Sequence, residues 1–366
     1  MGHHYFKINS KGINILNRYY LINKLFIVVL SILLLISNNV FAKPDYVAVA
    51  GHTSLQIWLL PNVSHPEDNK PGESRIALGK MLFFDPRLSG DGNMSCATCH
   101  NPLLGWSDGL ATAKGFKSQV LGRASPTIVN TAYNTIQMWD GRKASLEEQA
   151  SAPMTSELEM HADITMLISF LKNNEGYKLL FDKAYPGEDI NIETISKALA
   201  NFERTILSND SAFDRWVKGD KNAMTDKQVR GFKVFSDSNK GNCIACHLPP
   251  NFTDNGFHNI GLASFNNIKP DMGRFNQKAV SLMKGAFKTP TLRDIALTAP
   301  YFHDGSANSL MEVVEHYVKG GEIKTNLSPS MKPLKLNKWE KLELVAFLQA
   351  LTTKPKSVNL PVVPLQ

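Results

Sequence analysis

Cysteine is scarce in this chain, with four residues in 366, so a small fold stapled by many disulfides is excluded. Charge of one sign is also scarce. The formal excess is +7, and four of those positive residues, Lys7, Lys11, Arg18 and Lys24, fall within the first 42 positions, leaving +3 for the remainder. A nucleic-acid partner is not implied by so small a surplus. The apolar run Leu25 to Ile36 is only twelve residues long, too short to span a bilayer comfortably, and no acidic residue precedes it. Strand-like alternation is missing as well. Yet 43% of the residues are hydrophobic, so the chain is neither disordered nor core-poor, and its length suits two domains better than one.

The basic lead, the short apolar run and the closing Val40-Phe41-Ala42 together read as an export signal cleaved after Ala42. An uncleaved membrane anchor is the alternative. Either reading puts the globular part outside the cytoplasm, in the periplasm.

Four cysteines in an exported protein would ordinarily suggest two disulfides, but their spacing argues otherwise. They fall as Cys96-Ala97-Thr98-Cys99-His100 and Cys243-Ile244-Ala245-Cys246-His247, the Cys-x-x-Cys-His haem attachment pattern twice over. Two thiols one turn apart can add to the two vinyl groups of one porphyrin, and the next residue then turns its imidazole to the iron. Cys96, Cys99, Cys243 and Cys246 are therefore expected to tether two c-type haems, with His100 and His247 as iron ligands. A zinc site built from two Cys-x-x-Cys knuckles would not require a histidine after both pairs.

Helical periodicity is predicted over Glu73 to Phe83, ending at Asp85-Pro86, over Ile164 to Lys183 and Ile192 to Trp216, and over Gln228 to Phe235 before the second motif. Asn337 with Glu340 three residues on forms a capping box that opens a helix to Leu351. The expected fold is all-α, two cytochrome c-type domains with long functional loops. Signal 1–42, N-terminal domain 43–224 and C-terminal domain 225–366 are the expected boundaries.

With these motifs the sequence resembles the bacterial di-haem cytochrome c peroxidase and MauG family over nearly all of its length beyond the signal. The resemblance is carried by Leu78 to Ser89 before the first haem motif, then by Ser125-Pro126-Thr127 and Trp139-Asp140-Gly141-Arg142. Pro290-Thr291-Leu292-Arg293 and Leu297 to Gly305 carry it after the second. It implies that hydrogen peroxide reacts at the N-terminal haem, under a distal set that falls here on Gln149, Pro153 and Glu159. A carboxylate there can take a peroxide proton and return it to the departing oxygen. Glu159 could otherwise be a solvated loop residue. Trp139 matches the tryptophan that the family places between its haems, or is an ordinary core residue.

Two departures bear on function. Peroxidases of that family keep a histidine that caps the first iron, and the matching loop here, Gly115 to Gln119, has Phe116. The first haem is then expected to be open at rest, with His161 and His65 as substitutes outside that loop. Where those peroxidases use a methionine on the second iron, this chain has Tyr317, as MauG does. An anionic phenolate lowers the reduction potential, whereas methionine raises it. His316, Met311, Met283 and Met272 are the other candidates for that ligand. The resemblance also implies a calcium ion held by an asparagine near Ser125-Pro126-Thr127 and carbonyls near Thr298 and Pro300. Ala124 stands at the asparagine position while the carbonyls need no particular side chain, so calcium stays open.

Three functions follow from this reading. The first is a peroxidase that passes electrons through the C-terminal haem from a small cytochrome c or cupredoxin. The second is a MauG-like oxidase acting on Trp or Tyr side chains of a partner protein, and the third is a di-haem electron carrier without catalysis. Family members are often dimers, so a homodimer is implied by resemblance alone.

Overall fold

A computed structural model describes residues 1–2, 46–354 and 357–365. The expected signal segment and its cleavage point lie outside the described residues. Val47 to Gln366 form one compact unit, and no described helix is long and apolar enough to cross a membrane.

The architecture is helical, as expected. Before the first haem motif comes α1 (Glu73–Phe84), and the motif itself forms the single turn α2 (Cys96–Cys99). The long stretch between the motifs carries α3 (Leu146–Thr155), α4 (Ile164–Asn173), α5 (Glu175–Ala184), α6 (Ile192–Glu203) and α7 (Ala212–Val217). Around the second motif are α8 (Asp226–Ser236), α9 (Leu310–Lys319) and α10 (Lys338–Ala350), the last opened by the expected Asn337–Glu340 capping box.

Two predicted helices are broken in the structure. Ile164 to Lys183 divides at Asn174, whose side chain accepts from the Tyr177 amide at 3.0 Å and so caps a new helix. Ile192 to Trp216 divides after Glu203, and Ser211 restarts the chain with a capping box to Asp214. At the first break both helices face the core of Leu78 and Phe83, whereas at the second α6 faces that core and Phe213 and Trp216 of α7 pack on Phe232. Strand is limited to one short pairing among the described residues. Phe257–His258 (β1) pairs antiparallel with Phe287–Lys288 (β2), a pairing of two residues on each side, too short to leave an alternating pattern.

Glycine sets the two helix crossings that matter most. Gly79 of α1 lies against the Ala198 carbonyl of α6, and Gly231 of α8 against the Glu343 carbonyl of α10, so closely that a Cβ at either would collide with backbone. Only a residue without a side chain permits such an approach. Each crossing stands behind one haem motif. The first is filled by Leu78, Leu82, Phe83, Ile195 and Leu199, and the second by an aromatic cluster in which Phe232, Phe235 and Phe347 surround Phe252 and Trp58.

A buried polar core joins these regions. Arg293 is fully buried, and its guanidinium donates to both oxygens of Asp214 at 2.8 and 2.9 Å, to the Trp58 carbonyl at 3.0 Å and to the Pro250 carbonyl at 3.1 Å. Beside it, Asn130 and Ser208 exchange hydrogen bonds, and Asn251 accepts from both Asn130 and Thr291. Replacing Arg293 by Met would leave Asp214 as an uncompensated buried charge. Loss of about 3–5 kcal/mol is expected in denaturant unfolding; an unchanged midpoint would show that this hub is dispensable.

Candidate di-haem site

The two attachment motifs open on one cavity of about 840 Å³, lined by Cys96, Cys99 and His100 on one side and Cys243, Cys246 and His247 on the other. None of the four thiols is in a disulfide. At the first motif a Ser95–Thr98 capping box starts the turn, and the His100 ring lies with Nδ1 3.2 Å from the Trp106 carbonyl. At the second, Nδ1 of His247 lies 2.8 Å from the Phe252 carbonyl. A carbonyl can only accept, so Nδ1 carries the hydrogen in both rings and Nε2 is left for iron. Burial holds both imidazoles neutral, lowering His100 and bringing His247 down to about 4. Paired free thiols beside a neutral, oriented imidazole fit a c-type haem at each motif. Cys246 also comes within metal-ligand spacing of Asp254 and His258, but its sulfur is the one the attachment uses.

Gln149 and Pro153 project from α3, and Glu159 follows in the turn after it. All three line the cavity that holds His100. Pro153 sits inside the helix, where it cannot donate a backbone hydrogen bond, and its own carbonyl accepts the Met160 amide at 3.0 Å, folding the Glu159 turn back on the helix. Burial raises the Glu159 carboxyl above its ordinary value, with Arg142 and Ser156 acting in the opposite direction.

Phe116 does not line the cavity. Its ring stacks on His161 at 4.3 Å, and its amide donates to the Leu158 carbonyl, so this loop packs against the segment bearing Glu159. Neither His161 nor His65 lines the cavity.

Tyr317, on α9, lines the cavity with the second motif. Burial chiefly, then the neighbouring Cys246 and Cys243, push its phenol upward, so only a cation on its oxygen would draw off the proton. The alternatives fare differently. His316 is committed through Nε2 to the Ile260 carbonyl at 2.9 Å, and Met311, Met283 and Met272 do not line the cavity. Met331 does. It lies in a loop with no motif to flag it, and sequence reasoning missed it.

Trp139 lines the same cavity. Its Nε1 donates to the Ala124 carbonyl at 2.9 Å, its own carbonyl accepts from the Lys288 amide, and its ring stands edge-on to His303 at 6.4 Å. At the implied calcium position, Ala124 supplies no side-chain oxygen and its carbonyl is taken by that indole.

A helical body with two haem attachment turns opening on one cavity defines a di-haem c-type cytochrome. Residues 73–222 match the family model described as di-haem cytochrome c peroxidase. The methylamine utilization protein MauG of Methylorubrum extorquens is 45% identical over 304 residues, 83% of this chain and 85% of that one. The cytochrome c551 peroxidase of Nitrosomonas europaea is 36% identical over 288 residues, 78% and 82% of the two chains. Among solved structures, a MauG-like protein associated with microbial copper homeostasis superposes with a TM-score of 0.75 at 29% identity, over 80% of this chain and 93% of that one. The chain belongs to the di-haem cytochrome c peroxidase and MauG family. It is an oxidoreductase acting on peroxide, with two c-type haems.

Serine at both Cys243 and Cys246 should leave a denatured chain heavier than the polypeptide by one haem instead of two, read by intact mass. Two haems retained would refute attachment at the second motif.

Proposed function

We propose that this protein uses hydrogen peroxide to oxidise Trp or Tyr side chains of a partner protein, with the first haem open to peroxide at rest and Tyr317 on the iron of the second. The observation that carries this reading is Tyr317 on the cavity wall while His316 and three of the candidate methionines are elsewhere. Phe116 supports it from the other end, since an apolar ring turned onto His161 supplies no cap.

Two c-type haems, when bound, supply an iron that accepts peroxide and a second that shares the oxidising equivalents. His100 and His247 orient through their carbonyl partners. Glu159 takes the proton from the inner peroxide oxygen onto its carboxylate and delivers it to the outer oxygen, which departs as water. Gln149 beside it offers an amide to hold peroxide in place, and Pro153 shapes the helix end without adding a competing donor. Trp139 serves as the aromatic relay between the two motifs, its indole fixed by Ala124. Per peroxide, two electrons come from the partner and two protons from the protein and solvent, yielding two waters.

The second reading is a peroxidase fed by a small cytochrome c or cupredoxin. Met331 on the cavity wall favours it, because a thioether there in place of Tyr317 would raise the second potential into reach of such donors. We place the protein in the periplasm on the strength of its N-terminal pattern, and the boundary between its two haem domains at Met224–Thr225.

Glu159→Gln should slow the reaction with peroxide by roughly 10²–10⁴-fold in stopped flow while both haems stay attached. The working form of Glu159 is the carboxylate and burial raises its titration, so the wild-type rate should fall as pH drops through a value above the ordinary carboxylate range. The Glu159→Gln variant should lose that dependence, and an unaltered rate removes Glu159 from the mechanism. Tyr317→Phe should change the optical spectrum of one haem only; an unchanged spectrum would pass the ligand to Met331 and favour the second reading.

A further inference from the structure

Among the buried acids that the proposed reaction does not use, Glu203 stands in the cavity wall without a cation of its own. Glu203 closes α6, is 5% exposed, and lines the cavity together with Cys96, Phe83 and Leu199. Its Oε2 is enclosed without a hydrogen-bond partner. The nearest cation offers it little, because the Arg204 guanidinium is spent on Glu147, donating to Oε1 at 2.7 Å and Oε2 at 3.0 Å, and Asn69 donates to the same carboxylate. An ionised carboxylate left in that position would be costly, whereas a neutral acid is tolerated. The charged and titratable groups facing it are Arg204, the C-cap of its helix, Glu147 from α3 and Cys96 from α2. As a thioether, Cys96 carries no proton.

We propose that Glu203 is a proton store for the first haem site, holding a proton while the site is electron-rich, releasing it as the site loses electrons to peroxide, and regaining it from solvent when electrons return.

The physical basis is charge balance in a dry pocket. Withdrawing an electron from the iron held by His100 adds one positive charge beside a buried acid, which favours the carboxylate; restoring the electron favours the neutral form. Burial brings Glu203 up to about 8, with Arg204 lowering it and Glu147 raising it by lesser amounts. It is thus neutral near pH 7 and close enough to titration for one unit of charge to move its proton. Peroxide reduction consumes two protons for every two electrons, and those enter as the electrons return; the proton that Glu203 releases on oxidation leaves to solvent and keeps the charge of the dry pocket balanced. Glu159 moves a proton between the two oxygens of peroxide and supplies none in net, so the roles do not overlap.

The coupling also works in the ordinary one-electron couple. Above about pH 8, adding an electron from dithionite to the first haem should draw one proton from solvent onto Glu203. The proposal needs only a haem attached at Cys96 to His100. It is independent of who donates electrons and of whether Tyr317 is a ligand, so its failure and that of the functional reading are distinguishable.

The test is a spectroelectrochemical titration of the holoprotein from about pH 6 to about pH 10, a range that brackets the expected transition. In the wild type, the electron affinity of the first haem should fall by up to tenfold per pH unit above about pH 8, about 59 mV for a one-electron couple. Glu203→Gln should flatten that slope and leave the second haem unchanged, and Glu203→Asp should keep a slope with a displaced onset. A wild type without slope, or a Gln variant with the wild-type slope, overturns the proposal. Should the Gln variant fail to assemble, reduced-minus-oxidised infrared spectra of the wild type above pH 8 give the answer. A carboxylic acid carbonyl band that grows on reduction and shifts in the Asp variant supports the proposal, and the absence of such a band refutes it.

Discussion

The guanidinium of Arg293 is the point on which the rest of this structure depends. It has no exposure to water, and its donors reach Asp214 in the connecting region, Trp58 near the start of the compact unit and Pro250 just after the second haem motif. A charge so placed is tolerable only because its partners are all in position, so the segments that supply them cannot drift independently. The shared cavity needs that rigidity. Its walls come from residues as distant in sequence as Phe83 and Leu348, and a site for electron exchange between two cofactors fails if its halves move apart.

Within that frame, burial decides the protonation of nearly every functional group. His100 and His247 are kept neutral, each with one nitrogen given to a carbonyl, which is the state an iron ligand requires. Burial raises Glu159, with Arg142 and Ser156 acting against it. Glu203, with its neighbouring cation already paired, is held neutral instead. Two glutamates in one cavity are therefore prepared for different tasks by what stands beside them.

Much of this was legible in the sequence because covalent chemistry leaves rigid spacing. Cys96 to His100 and Cys243 to His247 announce their use without any knowledge of the fold, and the Asn337–Glu340 cap is likewise a local signal realised as read. What could not be read depended on contacts between distant segments. The break at Asn174 is invisible to periodicity because both helices face the same core. Phe257–His258 and Phe287–Lys288 pair across nearly thirty residues with no alternation to betray them. Met331 reaches the cavity from a loop without a motif, and the isolation of Glu203 arises only because Arg204 turns to Glu147. Family resemblance directed attention to Gln149, Pro153, Glu159 and Tyr317, and all four line the one cavity, the first three with His100 and Tyr317 with the second motif.

The central claim is that the first iron is open and the second carries an oxygen ligand, so that both are oxidised together by peroxide. Low-temperature electron paramagnetic resonance of the ferric protein, before and after one equivalent of peroxide, tests it most directly. The account predicts one high-spin and one low-spin haem at rest, with both signals vanishing on addition of peroxide. Two low-spin signals that ignore peroxide until the protein is reduced would contradict it, and would mean that an internal ligand caps the first iron.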